Sequence, residues 1–288
     1  MTHSTIEKDI SAANALFYQE KGYLIAPGLF SAAEIAALKK ETAAIFRGDR
    51  GYVEGLVSNC EKETDEDILK KYVAIHFPHK LSQVIHDTLF HPKVVNILTH
   101  IVSDNLKCMQ SMLFVKAPGK KGQSWHQDEY YIPTRDKSLI GVWIAIDDAT
   151  IENGCLWIIP GRPGYILPRV PNHNKEYADV DSIYVADFKE QMVPVEVKAG
   201  SVVFFNGYTL HSSQSNKTNN NFRTALVNHY MSAESMLPWD QDSKLDPTED
   251  LRDIVMVAGT DPYAWKGIVD VNKPYLRPEV LNIKSTVK

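Results

Sequence analysis

The sequence predicts a mainly β domain, a sandwich or jelly roll, built onto a helical N-terminal segment. Three observations carry that expectation. Apolar residues recur at helical spacing through roughly the first hundred positions. From Leu106 the period changes, and runs rich in Val, Ile, Phe and Trp, separated by Gly, Pro and Asn turns, continue to about residue 231. No repeat, low-complexity linker or break in composition divides the 288 residues, so one domain over 1–288 is expected. Within it, 1–105 forms mainly helical support, 106–231 the β core, and 232–288 a tail packed on that core.

Residues 6–21 place Ile10, Ala13, Leu16 and Phe17 at helical spacing, with Gly22 as the stop. Tyr23-Leu24-Ile25 reads as a short strand ended by Pro27-Gly28. Ser31-Ala32-Ala33-Glu34 has the form of a capping box, whose hydroxyl and carboxylate satisfy free N–H groups, and a helix over 32–46 follows. The polar stretch 47–64, with Gly48 and Gly51, reads as a loop at a site mouth. Further helices are expected over 65–73, 81–88 and 92–102, the last opening on Pro92, where the missing N–H costs nothing. Strands are expected over 106–116, 139–146, 155–159, 193–197, 201–205 and 223–231. Lys198-Ala199-Gly200 fits a tight hairpin turn between two of them. Residues 163–190 interrupt the pattern and have the length of a lid or binding loop. Pro238, Pro247, Pro262, Pro274 and Pro278 give the tail an irregular course.

Composition narrows the function classes. A net charge of -5, without any cluster of Lys and Arg, gives a nucleic-acid partner no electrostatic support. Cys60, Cys108 and Cys155 are odd in number and form no C-x-x-C pair, so they read as reduced thiols of a cytoplasmic protein. No apolar run approaches the roughly eighteen residues of a membrane span, and the N-terminus lacks a basic segment followed by an apolar one. The expected partner is a small-molecule substrate, acted on by a monomer or homodimer.

Ser124-Trp125-His126-Gln127-Asp128 carries the first chemical signal. Extended backbone sends side chains at i and i+2 to one face, so His126 and Asp128 project toward a common point. Most H-x-D triplets are a surface histidine near an aspartate, and two ligands need a third. His211 is the candidate, completing two imidazoles and a carboxylate, the facial set that leaves other positions of a non-haem Fe(II) open. Arg223 opens an apolar strand, where a guanidinium needs an anion, either a structural carboxylate or a ligand.

Several segments in one order resemble the phytanoyl-CoA dioxygenase family. They are Phe17-Tyr18-Gln19-Glu20-Lys21-Gly22-Tyr23-Leu24, His126-Gln127-Asp128, Trp143, Asn153-Gly154-Cys155-Leu156-Trp157-Ile158-Ile159-Pro160-Gly161, Gly200-Ser201-Val202-Val203-Phe204-Phe205, His211 and Arg223. The resemblance implies a double-stranded β-helix, the cupin-like jelly roll, and an Fe(II)- and 2-oxoglutarate-dependent dioxygenase using O2. It implies that His126, Asp128 and His211 bind the metal and that Arg223 grips the distal carboxylate of 2-oxoglutarate. Trp143 matches an aromatic beside that cosubstrate, and Gln110 and Met112 fall where the family lines the same pocket. By the same resemblance the outcome is hydroxylation with release of succinate and CO2, and the carboxylate of Asp128 argues against halogenation.

Alternatives remain at this point. Desaturation or cyclisation could replace hydroxylation. A non-catalytic jelly-roll binding protein would not need all four of His126, Asp128, His211 and Arg223, and a cupin metal enzyme without 2-oxoglutarate would not need Arg223. Tyr130, Tyr131 and Arg135 are expected to line the substrate pocket. Lys120 and Lys121, most simply a solvated loop, stand where they could meet an anionic substrate. His173 and His229 have no assigned partner and read as structural or exposed. Arg162, after Pro160-Gly161, departs from the Ser/Thr-His of the family.

Overall fold

Capping chemistry fixes the first elements of the computed structural model, which describes residues 4–6, 9–57, 62–238 and 250–277. Cys60 with part of the 47–64 loop, Pro247 and Pro278 lie outside the described residues. Helix α1 (Ala12–Lys21) starts later than expected because Ser11 and Asn14 form its capping box; it ends at Gly22 with φ 77°. Ile6 instead runs beside strand β1 (Tyr23–Ala26), its N–H donating to Ile25 O. Helix α2 (Ala32–Arg47) begins at the reciprocal Ser31–Glu34 capping box. Helix α3 (Asp65–Leu69) is shorter than expected, since the chain turns into β2 (Ala74–His76). Helix α4 (Gln83–Asp87) is flanked by 3-10 turns, and α5 (Pro92–Ile101) opens on its proline.

The strands that follow are β3 (Leu106–Lys116), β4 (Gln123–His126), β5 (Ile140–Ala145) and β6 (Leu156–Ile159). Residues 163–190 contain a hairpin, β7 (Arg169–Pro171) with β8 (Asp181–Ile183), then a 3-10 turn. The chain continues through β9 (Val193–Val195), β10 (Val202–Asn206), β11 (Leu210–Ser213) and β12 (Arg223–Ser232). Beyond the expected core, the tail adds β13 (Val255–Ala258) and β14 (Tyr275–Arg277).

Among the described residues, eight strands form one sheet, β1-β10-β5-β12-β3-β2-β14 with β13 beside β3, and four form the facing sheet, β4-β11-β6-β9. This is the double-stranded jelly roll. Strands from the helical segment and from the tail therefore join the same sheet as the 106–231 core. Lys198-Ala199-Gly200 is a corner rather than a hairpin: β9 belongs to the small sheet and β10 to the large one. Ser201 N–H donates to Lys198 O across that corner, and Gly200 takes φ 87°, where an added Cβ would lie 2.5 Å from Phe30 O.

The large sheet is buried on both faces, which is why β5 and β12 read as almost continuous apolar runs. Ile140, Val142, Ile144 and Leu226 pack against Leu38, Phe46 and Leu98 of the helices. Trp143, Ala145, Ala225 and Val227 point the other way, toward Leu156, Ile158 and Val195 of the small sheet. Residues 223, 225, 227 and 229 of β12 thus share the inner face, opposite Lys116, Phe114, Met112 and Gln110 of β3.

The tail is fastened by Lys80, whose Nζ donates to both carboxylate oxygens of Asp253 (2.7 and 2.8 Å), to Asp270 Oδ1 (2.7 Å) and to Asn272 O (3.0 Å). Asp253 also accepts from the N–H groups of Val271 and Asn272, which leads the chain into β14. Removing the cation strands a buried carboxylate. Lys80→Met should lower unfolding stability by about 2–4 kcal/mol, and adding Asp253→Asn should recover about half. Urea unfolding of the three proteins checks this.

Candidate metal and anion site

The small sheet sets the geometry. Strands β4 and β11 are antiparallel with His211 directly opposite His126, so their rings approach to 4.1 Å between centroids. The backbone stays extended through Gln127, and Asp128 then opens a 3-10 turn, Asp128–Tyr130. Asp128 Oδ1 consequently lies 3.5 Å from both His126 Nε2 and His211 Nε2. The three side chains are buried, and one ligand atom from each falls within 4.8 Å of the others.

Both histidines are held alike. His126 Nδ1 donates to Ser124 O at 2.7 Å, and His211 Nδ1 donates to Thr209 O at 3.0 Å. A carbonyl only accepts, so Nδ1 carries the hydrogen and each Nε2 keeps its lone pair toward the centre. Burial, with His211 beside it, pushes His126 down to about 3, so it stays neutral. For Asp128, burial acts upward but the imidazoles of His211, His229 and His126 outweigh it, and the carboxyl is held below its usual range. Neutral imidazoles and an ionised carboxylate are the forms that ligate a divalent ion.

His229 gains a partner that the sequence did not name. It is buried, and its Nε2 lies 3.2 Å from Asp128 Oδ2, while its Nδ1 has no partner among the described residues. The signal was available: positions 223 and 229 share the period of a β strand. Gln123 was also missed. Its Nε2 is 3.1 Å from His126 Nε2, on the side a metal would take. His173 is exposed.

Arg223 stands on the same inner face. Its side chain is buried, Nε donates to Gly154 O at 3.1 Å, and the guanidinium lies 5.8 Å from the Trp143 ring centroid. No carboxylate among the described residues forms an ion pair with it. Burial draws it down to about 10, which leaves it charged. Lys116, opposite on β3, has its Nζ on Ser213 Oγ, Gln214 O and Gly154 O. The Asn153-Gly154 turn makes this possible, since a Cβ on Gly154 would lie 2.4 Å from Gln214 O and 3.0 Å from Lys116. A buried guanidinium that lines a cavity has the chemistry of a carboxylate receptor.

These groups line one cavity of about 760 Å³, which also takes in Gln110 and Met112. Of the three residues expected to line the substrate pocket, Tyr131 lines this cavity; Tyr130 and Arg135 do not. Arg135 points to solvent because its N–H is tied to Ser235 Oγ, and Tyr130 lies outside beneath Arg169. Asp179, Tyr275 and Arg277 take part instead. Asp179, in the 163–190 insertion, accepts from Ser124 N–H and pairs with Arg277 of β14. Arg162 is turned away onto the Tyr18 ring. No helix among the described residues is long and apolar enough to cross a membrane.

Residues 18–225 match the family described as Phytanoyl-CoA dioxygenase (PhyH). A Danio rerio phytanoyl-CoA dioxygenase domain-containing protein 1 is 26% identical over 275 residues, covering 81% of this chain and 94% of its own length. The Homo sapiens peroxisomal phytanoyl-CoA dioxygenase is 29% identical over 234 residues, 76% of this chain and 67% of its own. Among solved structures, the non-heme alpha ketoglutarate dependent carbocyclase SnoK superposes with a TM-score of 0.66 at 24% identity, covering 86% of this chain and 97% of that one. EctD from S. alaskensis with bound Fe gives 0.61 at 20%, covering 82% and 83%. The chain belongs to the phytanoyl-CoA dioxygenase family of oxygenases that use iron and 2-oxoglutarate, and it carries a buried His-Asp-His set placed to hold a metal ion.

Proposed function

We propose that the protein is an Fe(II)- and 2-oxoglutarate-dependent dioxygenase that hydroxylates a small-molecule or acyl substrate. The observation that carries this reading is the pairing, in one cavity, of the His126-Asp128-His211 set with a buried Arg223 that has no carboxylate partner among the described residues. Bound iron and 2-oxoglutarate supply oxidation by O2, one oxygen atom going to succinate as CO2 leaves and the other to a substrate C–H. The residues of the chain do the rest. His126 Nε2, His211 Nε2 and one oxygen of Asp128 hold the metal and leave the remaining positions open. Arg223 would fix the far carboxylate of the cosubstrate, with Trp143 lining the same cavity, and so set its register. Phe205, 4.5 Å from the His211 ring, and Trp143 keep water from this end. SnoK is a carbocyclase, and cyclisation is the alternative outcome for a substrate whose second reactive atom is held nearby. Cys108 and Cys155, buried free thiols, fit a reducing compartment such as the cytoplasm.

His229 acts as a positioning residue in this scheme. With Nε2–H on Asp128 Oδ2 it holds the second carboxylate oxygen away from the metal, so Asp128 presents one oxygen.

Anaerobic addition of Fe(II) and 2-oxoglutarate should give a weak visible charge-transfer band, absent in His211→Ala. Arg223→Met should raise the 2-oxoglutarate concentration needed for half the band about 30- to 100-fold, the loss of a charge-assisted bidentate contact. No band at saturating reagents contradicts the assignment. Separately, His229→Ala should weaken Fe(II) binding about 10- to 100-fold, with His229→Gln, which keeps a donor, recovering part of the loss. Anaerobic competition against a chromogenic chelator measures it, and unchanged affinity in both variants would refute the role.

A further inference from the structure

The cavity has a charge opposite to that of the chain. The protein carries -5 overall. Yet among the described residues Lys116, Lys121, Arg223 and Arg277 line the cavity against Asp128 and Asp179, four less two, an excess of two positive charges with Lys120, which has a partner of its own, left out. A divalent metal and doubly ionised 2-oxoglutarate cancel each other, so this excess persists in the loaded site on the reading proposed above. Burial pulls Lys116 far below its ordinary pKa; counting it as neutral still leaves three less two.

Lys116 and Arg223 stand together at the cosubstrate end, each bonded to Gly154 O. The remaining excess lies elsewhere. Arg277 reaches the cavity from β14, its side chain 14% exposed, and its charge is felt by His126, His76 and Tyr131 at the metal end. Its partner is Asp179 Oδ1 at 3.2 Å, but that carboxylate is shared, its other oxygen accepting from Ser124 N–H at 2.6 Å. Lys120 and Lys121 sit between Gly119 and Gly122 in the loop leading into β4. Flat apolar surface lies beside these cations: Tyr275 stacks on His76 at 4.3 Å and 8°, and Tyr131 lines the same cavity.

We propose that the primary substrate is a small organic anion, its carboxylate or phosphate held by Arg277 and Lys121 and its ring or chain lying against Tyr131 and Tyr275. The cations then do two things. They draw an acidic ligand into a narrow cavity within an acidic protein, and they anchor it at a point remote from the C–H to be oxidised.

Calorimetric titration of benzoate, phenyl phosphate and benzamide into the full chain, loaded anaerobically with Fe(II) and 2-oxoglutarate, tests this. At least one anion should bind about ten-fold or more tightly than the neutral amide, and raising NaCl to about 0.5 M should weaken it. Arg277→Gln and Lys121→Gln should each reduce anion affinity about ten-fold. The order of benzoate and phenyl phosphate separates a carboxylate site from a phosphate site. Benzamide binding as well as either anion, no heat from either anion, or unchanged affinity in both variants would overturn the proposal. Lys121 is exposed, so its variant keeps the test valid should Arg277→Gln fail to fold. The charge-transfer band of the same unsubstituted sample separates the two readings. A band without anion binding overturns the substrate class alone; no band overturns the oxygenase reading and, with it, the charge balance of the loaded site.

Discussion

His211 faces His126 across an antiparallel ladder, and the rest of the site is arranged around that opposition. Side chains directly opposite on such a pair stand about 5 Å apart, a separation that suits two ligands of one ion. The ladder admits little else. Gly122, just before β4, runs so close to β11 that a Cβ would lie 1.9 Å from Ser213 O. The register shifts between His211 and Ser213, which frees Ser213 Oγ to take both Gln123 N–H and Lys116 Nζ. The same pairing that places two metal ligands therefore also places the cation opposite Arg223.

The large sheet supplies the second half of the site by strand period. Its inner face reads across neighbouring strands as rows: His76, Met112, Val227, Trp143 and Val203 in one, Gln110, His229, Gly141 and Phe205 in the next. Gly141 leaves room in its row for the Phe205 ring, 2.6 Å from where a Cβ would stand, and that ring meets His211. Polar groups on this face are costly to bury, and their partners are correspondingly particular: His229 on Asp128, Lys116 on two carbonyls and a hydroxyl, Arg223 on one carbonyl and an open cavity. Exclusion of water from so polar a row strengthens each of these contacts.

What could be read in the sequence follows from the same physics. The long strands were legible because apolar runs between turn residues mark them: the expected 106–116 coincides with β3, and 223–231 nearly so with β12. Strand β11 was not, since Leu-His-Ser-Ser is short and polar and becomes a strand only by lying buried between β4 and β6. The H-x-D spacing put His126 and Asp128 on one face, and Arg223 called for an anion, either a structural carboxylate or a ligand. His229 carried a period-2 signal relative to Arg223, but its partner is a hundred residues away in the chain. Substrate-end residues were least legible. Arg135 lay beside the metal segment in sequence yet turns outward, whereas Arg277 comes from a strand that the prolines of the tail concealed.

The central claim is that one ion is shared by His126, Asp128 and His211 with an organic dianion between it and Arg223. An anaerobic crystal structure of the protein with Fe(II) and 2-oxoglutarate measures this most directly. The account predicts metal bonded to His126 Nε2, His211 Nε2 and a single oxygen of Asp128, and a carboxylate bidentate on Arg223. Metal at any other cluster, or 2-oxoglutarate bound without contact to Arg223, would contradict it.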